Sequence, residues 1–429
     1  MNERLAEGNI NKLLWSLSIP AILGMLSGAI FNVADRIFVG KVSPLALTAV
    51  GITMPVQILQ MAVILLIGVG SSTLVSIKLG EGKKQEAEDI LFLAFKYIII
   101  TLIIFAVLFV IFCDPILKIL SVSEQVMPYA KSYIMILIVG SVVSIPGYCL
   151  NNSMRAIGKA NVSMNIILVT SVINIILDPI FIFVLDMGVA GAAFATVISQ
   201  TILTVYVTMY FYKGKDLPVN LKFVKVANEK RLVKKIIING SPSFYVQILA
   251  TFVTIFTNWS LLRYGSDLDV ASVTIMSTIF GFYHMVVFGI VHGNQPICGY
   301  NWGAKKYDRV LRSLQLSLLY AFILSFALFM VIEFYPAALV GMFTDDAVLL
   351  STTENAVKLY LVMIPLIGLQ TVSSQYFQSV GNARLSSLLS LLRYGVILVP
   401  AVLILAPTIG VQGIYISNAV SDFIASVVA

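Results

Sequence analysis

Apolar residues fall in runs of about 20 or more along this chain, each long enough to cross the roughly 30 Å core of a bilayer. Such runs recur about twelve times, which predicts an all-α polytopic membrane protein. The expected spans are 13–39, 46–77, 90–112, 129–154, 161–185, 189–212, 236–263, 269–300, 311–334, 355–380, 385–405 and 411–429. Short polar turns separate them: Gly40-Lys-Val-Ser-Pro44, Gly80-Glu-Gly-Lys-Lys84, Arg155-Ala-Ile-Gly-Lys-Ala160 and Asp186-Met-Gly188. The polar start runs directly into a 26-residue apolar stretch, too long for a signal-peptide core, so span 1 is expected to be retained. Span 12 ends without a basic flank, which points to a few residues beyond Ala429.

The longest polar stretch, 213–235, has eight basic residues, Pro218 and two acids, the composition of a linker. It divides the chain into lobes 1–212 and 236–429. The lobes repeat one another. Gly70 and Gly293, Gly80 and Gly303, and Gly158 and Gly381 are each 223 residues apart, while Pro20 and Pro242, Gly188 and Gly410, and Gly191 and Gly413 are each 222 apart. Six spans per repeat insert both halves in one orientation, related by an axis along the membrane normal with a cleft between them. That is an architecture for alternating access.

Composition supports the membrane reading, with 59% apolar and 11% charged residues and a mean hydropathy of +0.96. The net charge of +7 suggests a polyanionic partner until its placement is considered. With span 1 starting inside, all Lys and Arg except Arg36, Lys41, Lys118, Lys131, Arg263 and Lys358 fall on cytoplasmic loops or helix ends. The basic excess therefore reports topology, with both termini cytoplasmic in a cell (plasma or inner) membrane, and no nucleic-acid partner is expected. Cys113, Cys149 and Cys298 have neither metal-ligand nor redox spacing. No cofactor, catalytic cluster or structural metal site is expected, so the chain does not read as an enzyme.

The chemistry concentrates in Asn174-Ile-Ile-Leu-Asp178-Pro179 of span 5. An ionisable residue within a span is expensive to insert and marks a functional site by default. Asn174 and Asp178 share a helix face. Pro179 has no N–H, which leaves the Ile175 carbonyl without its helical donor. A carboxylate, an amide and a carbonyl in one turn suit a proton or a small hard cation; the alternative is a kink satisfied by a neighbouring helix. At roughly 1.5 Å per residue, Asp178 lies about 10 Å from the outer end of its span and Thr196 about 12 Å. Asp35 lies five residues from the outer end of span 1. All three occupy the outer half of the first lobe, although Asp35 has Arg36 as an alternative partner.

These patterns together resemble the multidrug and toxic compound extrusion (MATE) family of secondary transporters. The resemblance rests on Gly70-Ser-Ser-Thr73 and Gly80, Arg155-Ala-Ile-Gly158, Leu177-Asp178-Pro179, Gly188-Val-Ala-Gly191, Gly293-Asn-Gln-Pro296, Asn301-Trp-Gly303 and Phe377-Gln-Ser-Val-Gly381, and spans the chain. It implies a prokaryotic, monomeric exporter that antiports H⁺ or Na⁺ against bulky, often cationic organic compounds. In the similar DinF-like branch, the cation site maps onto Asp35, Asn174, Asp178 and Thr196. Where NorM-like relatives carry a glutamate on span 7, this chain has Gln247. The second-lobe counterparts of Asp178 are Pro400 or Ala401, and those of Asp35 are Thr257 or Asn258, so coupling is expected in the first lobe alone. Candidate substrate contacts are Gln57, Gln60, Asn151, Asn152, Gln247, His284, Tyr376 and the acid Asp422, each with a helix–helix hydrogen bond as its alternative. A lipid-linked oligosaccharide flippase of the same superfamily is the runner-up reading.

Overall fold

A computed structural model describes residues 2–214 and 217–429; Lys215 and Asp216 of the expected linker lie outside the described residues. Among the described residues, eleven helices are long and apolar enough to cross a membrane, or twelve if one bent pair counts as a single span. They are α1 (Ile10–Val42), α2 (Pro44–Gly80), α3 (Lys84–Ile119), α4 (Met127–Ser144, continued by Pro146–Ala156), α5 (Ala160–Pro179) and α6 (Gly188–Lys213). The second set is α7 (Glu229–Tyr264), α8 (Asp267–Gly303), α9 (Tyr307–Phe334), α10 (Ala347–Tyr360 and Ile364–Ser379), α11 (Ala383–Leu391, continued to Ile409) and α12 (Val411–Val428). The halves of α10 are bent by 51°. Pro365, at the start of its second half, has no N–H to continue the helical ladder. A short helix, Asn2–Glu7, precedes α1.

The repeat legible in the chain is a repeat of shape. Gly158 and Gly381 both take positive φ (79° and 83°), as do Gly188 and Gly410 (54° and 64°), so equivalent turns close equivalent helices. Helices α5 and α11 also share a local irregularity. A π-helical segment follows Asp178-Pro179 at Ile180–Val184, and another runs over Leu392–Leu398. Such segments widen the helical turn and recur at functional positions.

The two lobes are pressed together at one end only. This basic end carries the short helix Asn2–Glu7, Gly80–Lys84, Lys159 and Lys305–Lys306. A Cβ at Gly80 would strike the carbonyl of Tyr300, and one at Gly303 would strike that of Ile77. Likewise Gly240 lies against the Leu66 carbonyl and Gly70 against that of Ile236. Gln295 donates to Ser72 Oγ (3.2 Å) and Thr73 Oγ1 (2.7 Å), and Ser76 Oγ donates to the Pro296 carbonyl (3.2 Å). The motifs Gly70-Ser-Ser-Thr73 and Gly293-Asn-Gln-Pro296 therefore form one seam. Asn301 and Arg309 bind the Leu5 carbonyl, and Lys306 binds that of Ala6, tying the first residues of one lobe to the other.

Among the described residues, every hydrogen bond between lobes lies in this basic half. One apolar cluster at this end runs from Leu14 and Leu91 to Ile297 and Leu316, across both lobes. Toward the other end each lobe has its own cluster, Val39 to Ala193 in the first and Leu261 to Tyr415 in the second. The lobes splay there.

The stretch between the lobes is a strap. Leu217, Val219 and Leu221 are buried at every second position, and Leu221 N–H donates to the Phe211 carbonyl (2.9 Å). Glu88, buried at the start of α3, accepts from Asn220 N–H (3.3 Å) and pairs with Lys222 (2.6 Å). Helix α7 starts at Glu229, seven residues before its predicted start, and Glu229 accepts from Lys96 (2.6 Å) and Tyr97 (2.8 Å) of α3. Glu88→Ala is expected to destabilise the protein by about 1–3 kcal/mol by leaving its donors unpaired. Thermal unfolding in detergent measures this, and an unchanged midpoint would deny the strap a role in stability.

Candidate coupling site in the first lobe

Asp178 is fully buried on α5. Asn174, one turn earlier and also buried, donates to Asp178 Oδ1 (3.5 Å) and stands 3.5 Å from Thr196 Oγ1 on α6. With the Asn174 amide turned over, its nitrogen donates to Asp178 Oδ2 (3.3 Å) and its oxygen accepts from Thr196 N–H (3.3 Å), which satisfies both ends better. Asn174 is thus a bridge between two helices. Gly191 allows that approach, because a Cβ there would come within 2.7 Å of the Phe181 backbone in the π-helical segment.

Asp35 comes from α1. It is 7% exposed, and its Oδ1 has no hydrogen-bond partner. Arg36 turns away and donates to the sulfur of Met54 (3.5 Å); among the described residues no ion pair joins Arg36 to Asp35. Asp35 lies close enough for its charge to act on Asp178. Tyr133 of α4 is buried in an apolar cluster with Val39 and Ile182, each four residues beyond one of the two acids. Sequence reasoning missed Tyr133, because a lone tyrosine in an apolar span carries no signal without knowing what faces it. Toward the basic end a small cavity continues from Asn174, lined by Phe31, Thr170, Ser171, Ser199 and Gln200. Two acids, an amide and a hydroxyl brought together by α1, α5 and α6 can hold a proton or one small cation and release it when the helices move. Among the described residues, no group of three or more His, Cys, Asp or Glu forms a metal cluster.

The other expected contacts are scattered. Gln60 and Asn151 are buried, each with one polar atom unpartnered. Gln57 reaches Thr53 Oγ1 (3.5 Å), and Asn152 accepts from Arg155. Gln247 is half-buried on α7, where its carbonyl accepts from Thr251. His284 stacks on Phe280 (5.3 Å between centroids) and meets Phe288 edge-on (4.4 Å), and Tyr376 lies edge-on to Phe377 (5.5 Å). Asp422 is paired inside its own lobe. Its Oδ1 accepts from Arg393 Nε at 2.7 Å. This corrects the charge placement expected from sequence, in which Arg393 belonged to a cytoplasmic loop or helix end. It is 6% exposed within α11, and Asp422 is what makes that burial tolerable.

A family model, MatE, matches residues 20–180 and 242–404, one match per lobe. The multidrug export protein MepA of Staphylococcus aureus (strain NCTC 8325 / PS 47) is 27% identical over 423 residues, covering 97% of this chain and 92% of its own length. MepA of Staphylococcus saprophyticus is 24% identical over 425 residues, covering 99% and 93%. Among solved structures, an outward-facing multidrug resistance MATE family transporter of the MOP superfamily superposes with a TM-score of 0.93 at 24% identity, covering 100% of this chain and 96% of that one. A MATE transporter in the bent conformation gives 0.94 at 24% identity, covering 100% and 95%. With a family match in each lobe and the same fold from end to end, the chain belongs to the MatE family of multi-pass membrane transporters.

Proposed function

We propose that this protein exports small organic compounds, bulky lipophilic cations among them, in exchange for H⁺ or Na⁺ taken up at Asp178 and Asp35. Relatives named multidrug export proteins support the class of cargo. The coupling site rests chiefly on one observation: Asp178 is fully buried, and Asp35, near enough for its charge to act on it, is buried with one oxygen unpartnered. Two carboxylates so placed titrate as a coupled pair. Occupation of the pair by a cation changes the charge beside Pro179 and the π-helical segment, the part of α5 least bound to a single helical geometry. The basic end is cytoplasmic by the charge asymmetry of the loops. Lobes joined there and splayed at the opposite end thus present an outward-facing cleft. Gln57, Gln60, Asn151, Asn152, Gln247, His284 and Tyr376 offer the cleft polar and aromatic groups for cargo.

Asp35→Asn is expected to reduce ion-driven efflux of a cationic dye by about tenfold, equivalent to about 1.4 kcal/mol. Adding Arg36→Gln should restore nothing, since Arg36 holds Met54 and not Asp35. Efflux returning to the original rate in the double variant, at equal expression, would make Asp35 a structural partner of Arg36 and remove it from the site.

A further inference from the structure

The second lobe buries one acid, Asp422, and that acid has a cation of its own. Arg393 Nε donates to Asp422 Oδ1 at 2.7 Å, and its NH1 donates to the Tyr394 hydroxyl at 3.2 Å. The guanidinium lies over the rings of Phe280 (5.7 Å) and Tyr394 (4.9 Å), and Ser421 Oγ holds the Arg393 carbonyl at 2.6 Å. The second carboxylate oxygen of Asp422 is buried and has no partner. Tyr283 and His284 of α8 and Tyr360 of α10 complete the titratable surroundings, and the Tyr283 hydroxyl is already engaged by Ser325 (2.7 Å).

The repeat shows what this pair replaces. Subtracting 222 from 393 and from 422 gives Ser171 and Gln200, which line the cavity below Asn174 in the first lobe. The position in α11 is also the π-helical one: Arg393 is its second residue, whereas in α5 the π-helical segment begins two residues after Asp178. Each lobe therefore has a buried charge next to a π-helical segment. In the first it is an acid without a resident cation, and in the second it is a guanidinium attached to the chain, paired with an acid on the next helix.

We infer that Arg393 is a tethered cation that occupies Asp422 and keeps the second lobe from exchanging ions, so that the number of ions moved per substrate is set by the first lobe alone. This rests on the exchange mechanism proposed above. A carboxylate that reaches neutrality by a covalently attached guanidinium has nothing to release to either side of the membrane. Freed of it, Asp422 would have to take up one H⁺ or Na⁺ in each state in which it is buried.

The test is the ion-to-substrate ratio in proteoliposomes, with the membrane potential clamped and a monocationic phenanthridinium dye as substrate. The dye gradient held at balance is plotted against the imposed H⁺ or Na⁺ gradient on logarithmic axes, and the slope gives the ratio. Arg393→Met is expected to raise the slope by one ion. Arg393→Met/Asp422→Leu should return it to the original value. An unchanged slope in Arg393→Met would overturn the inference while leaving the first-lobe site standing. Loss of folded Arg393→Met with recovery in the double variant would also overturn it, because Asp422 would then be unable to recruit an ion. If both variants fail to fold, the pair belongs to packing and the inference fails. A flat slope in the unaltered protein would instead defeat the exchange mechanism itself.

Discussion

Asp178→Asn is expected to abolish ion-driven export while leaving the protein inserted and folded at its normal level. The side chain is fully buried and meets Asn174 at 3.5 Å, so an amide of the same shape fits the space. It keeps a hydrogen-bonding oxygen for the Asn174 nitrogen. What it lacks is the charge that binds an ion and the acidity that gives up a proton. The expected loss is at least about a hundredfold in gradient-driven efflux, equivalent to about 2.7 kcal/mol. Dye efflux at equal expression measures it, and retention of the original rate would remove Asp178 from the mechanism.

Gly240→Ala is expected to cause the other large loss, by a different route. The added Cβ would occupy the place of the Leu66 carbonyl oxygen, and a backbone group cannot swing aside as a side-chain end can. The seam at the basic end would have to part, shifting the population toward the state closed at the opposite end. A shift of about 3 kcal/mol is a change of about 150-fold in that equilibrium. Electron spin resonance distances between labels at Ser121 and Asp345, on the splayed ends of the two lobes, should shorten, and efflux should fall with them. Gly28→Ala serves as the comparison, because a Cβ there meets nothing within 4 Å. Unchanged distances and efflux in Gly240→Ala would contradict the seam as the closing surface.

Much of this was legible in the chain. Apolar runs mark the spans because each must satisfy its backbone internally and present apolar side chains to lipid. The 222–223 spacing marks the two lobes, since equivalent turns such as Gly158 and Gly381 need the same left-handed backbone. Asn174 and Asp178 stand out because a membrane span has little reason to carry either. Arg393 escaped notice because its partner is on the next helix, 29 residues away, and only the fold brings them together. The strap was hidden for another reason. Its polar composition reads as a linker, while the alternation of Leu217, Val219 and Leu221 is a weak signal of an extended segment packed on one side. The break in α10 was available from Pro365, but one proline decides neither the angle of a bend nor whether the span continues.

Coupling confined to the first lobe is the central claim, and one measurement reaches it most directly. Dye efflux from proteoliposomes is followed under independently imposed pH and sodium gradients for Asp35→Asn, Asp178→Asn, Gln247→Ala and Asn258→Ala. The first-lobe variants should lose all response to the gradient, and the second-lobe variants should keep it, with altered dye affinity at most. Loss of the response in Gln247→Ala or Asn258→Ala, with Asp35→Asn and Asp178→Asn still coupled, would contradict the account.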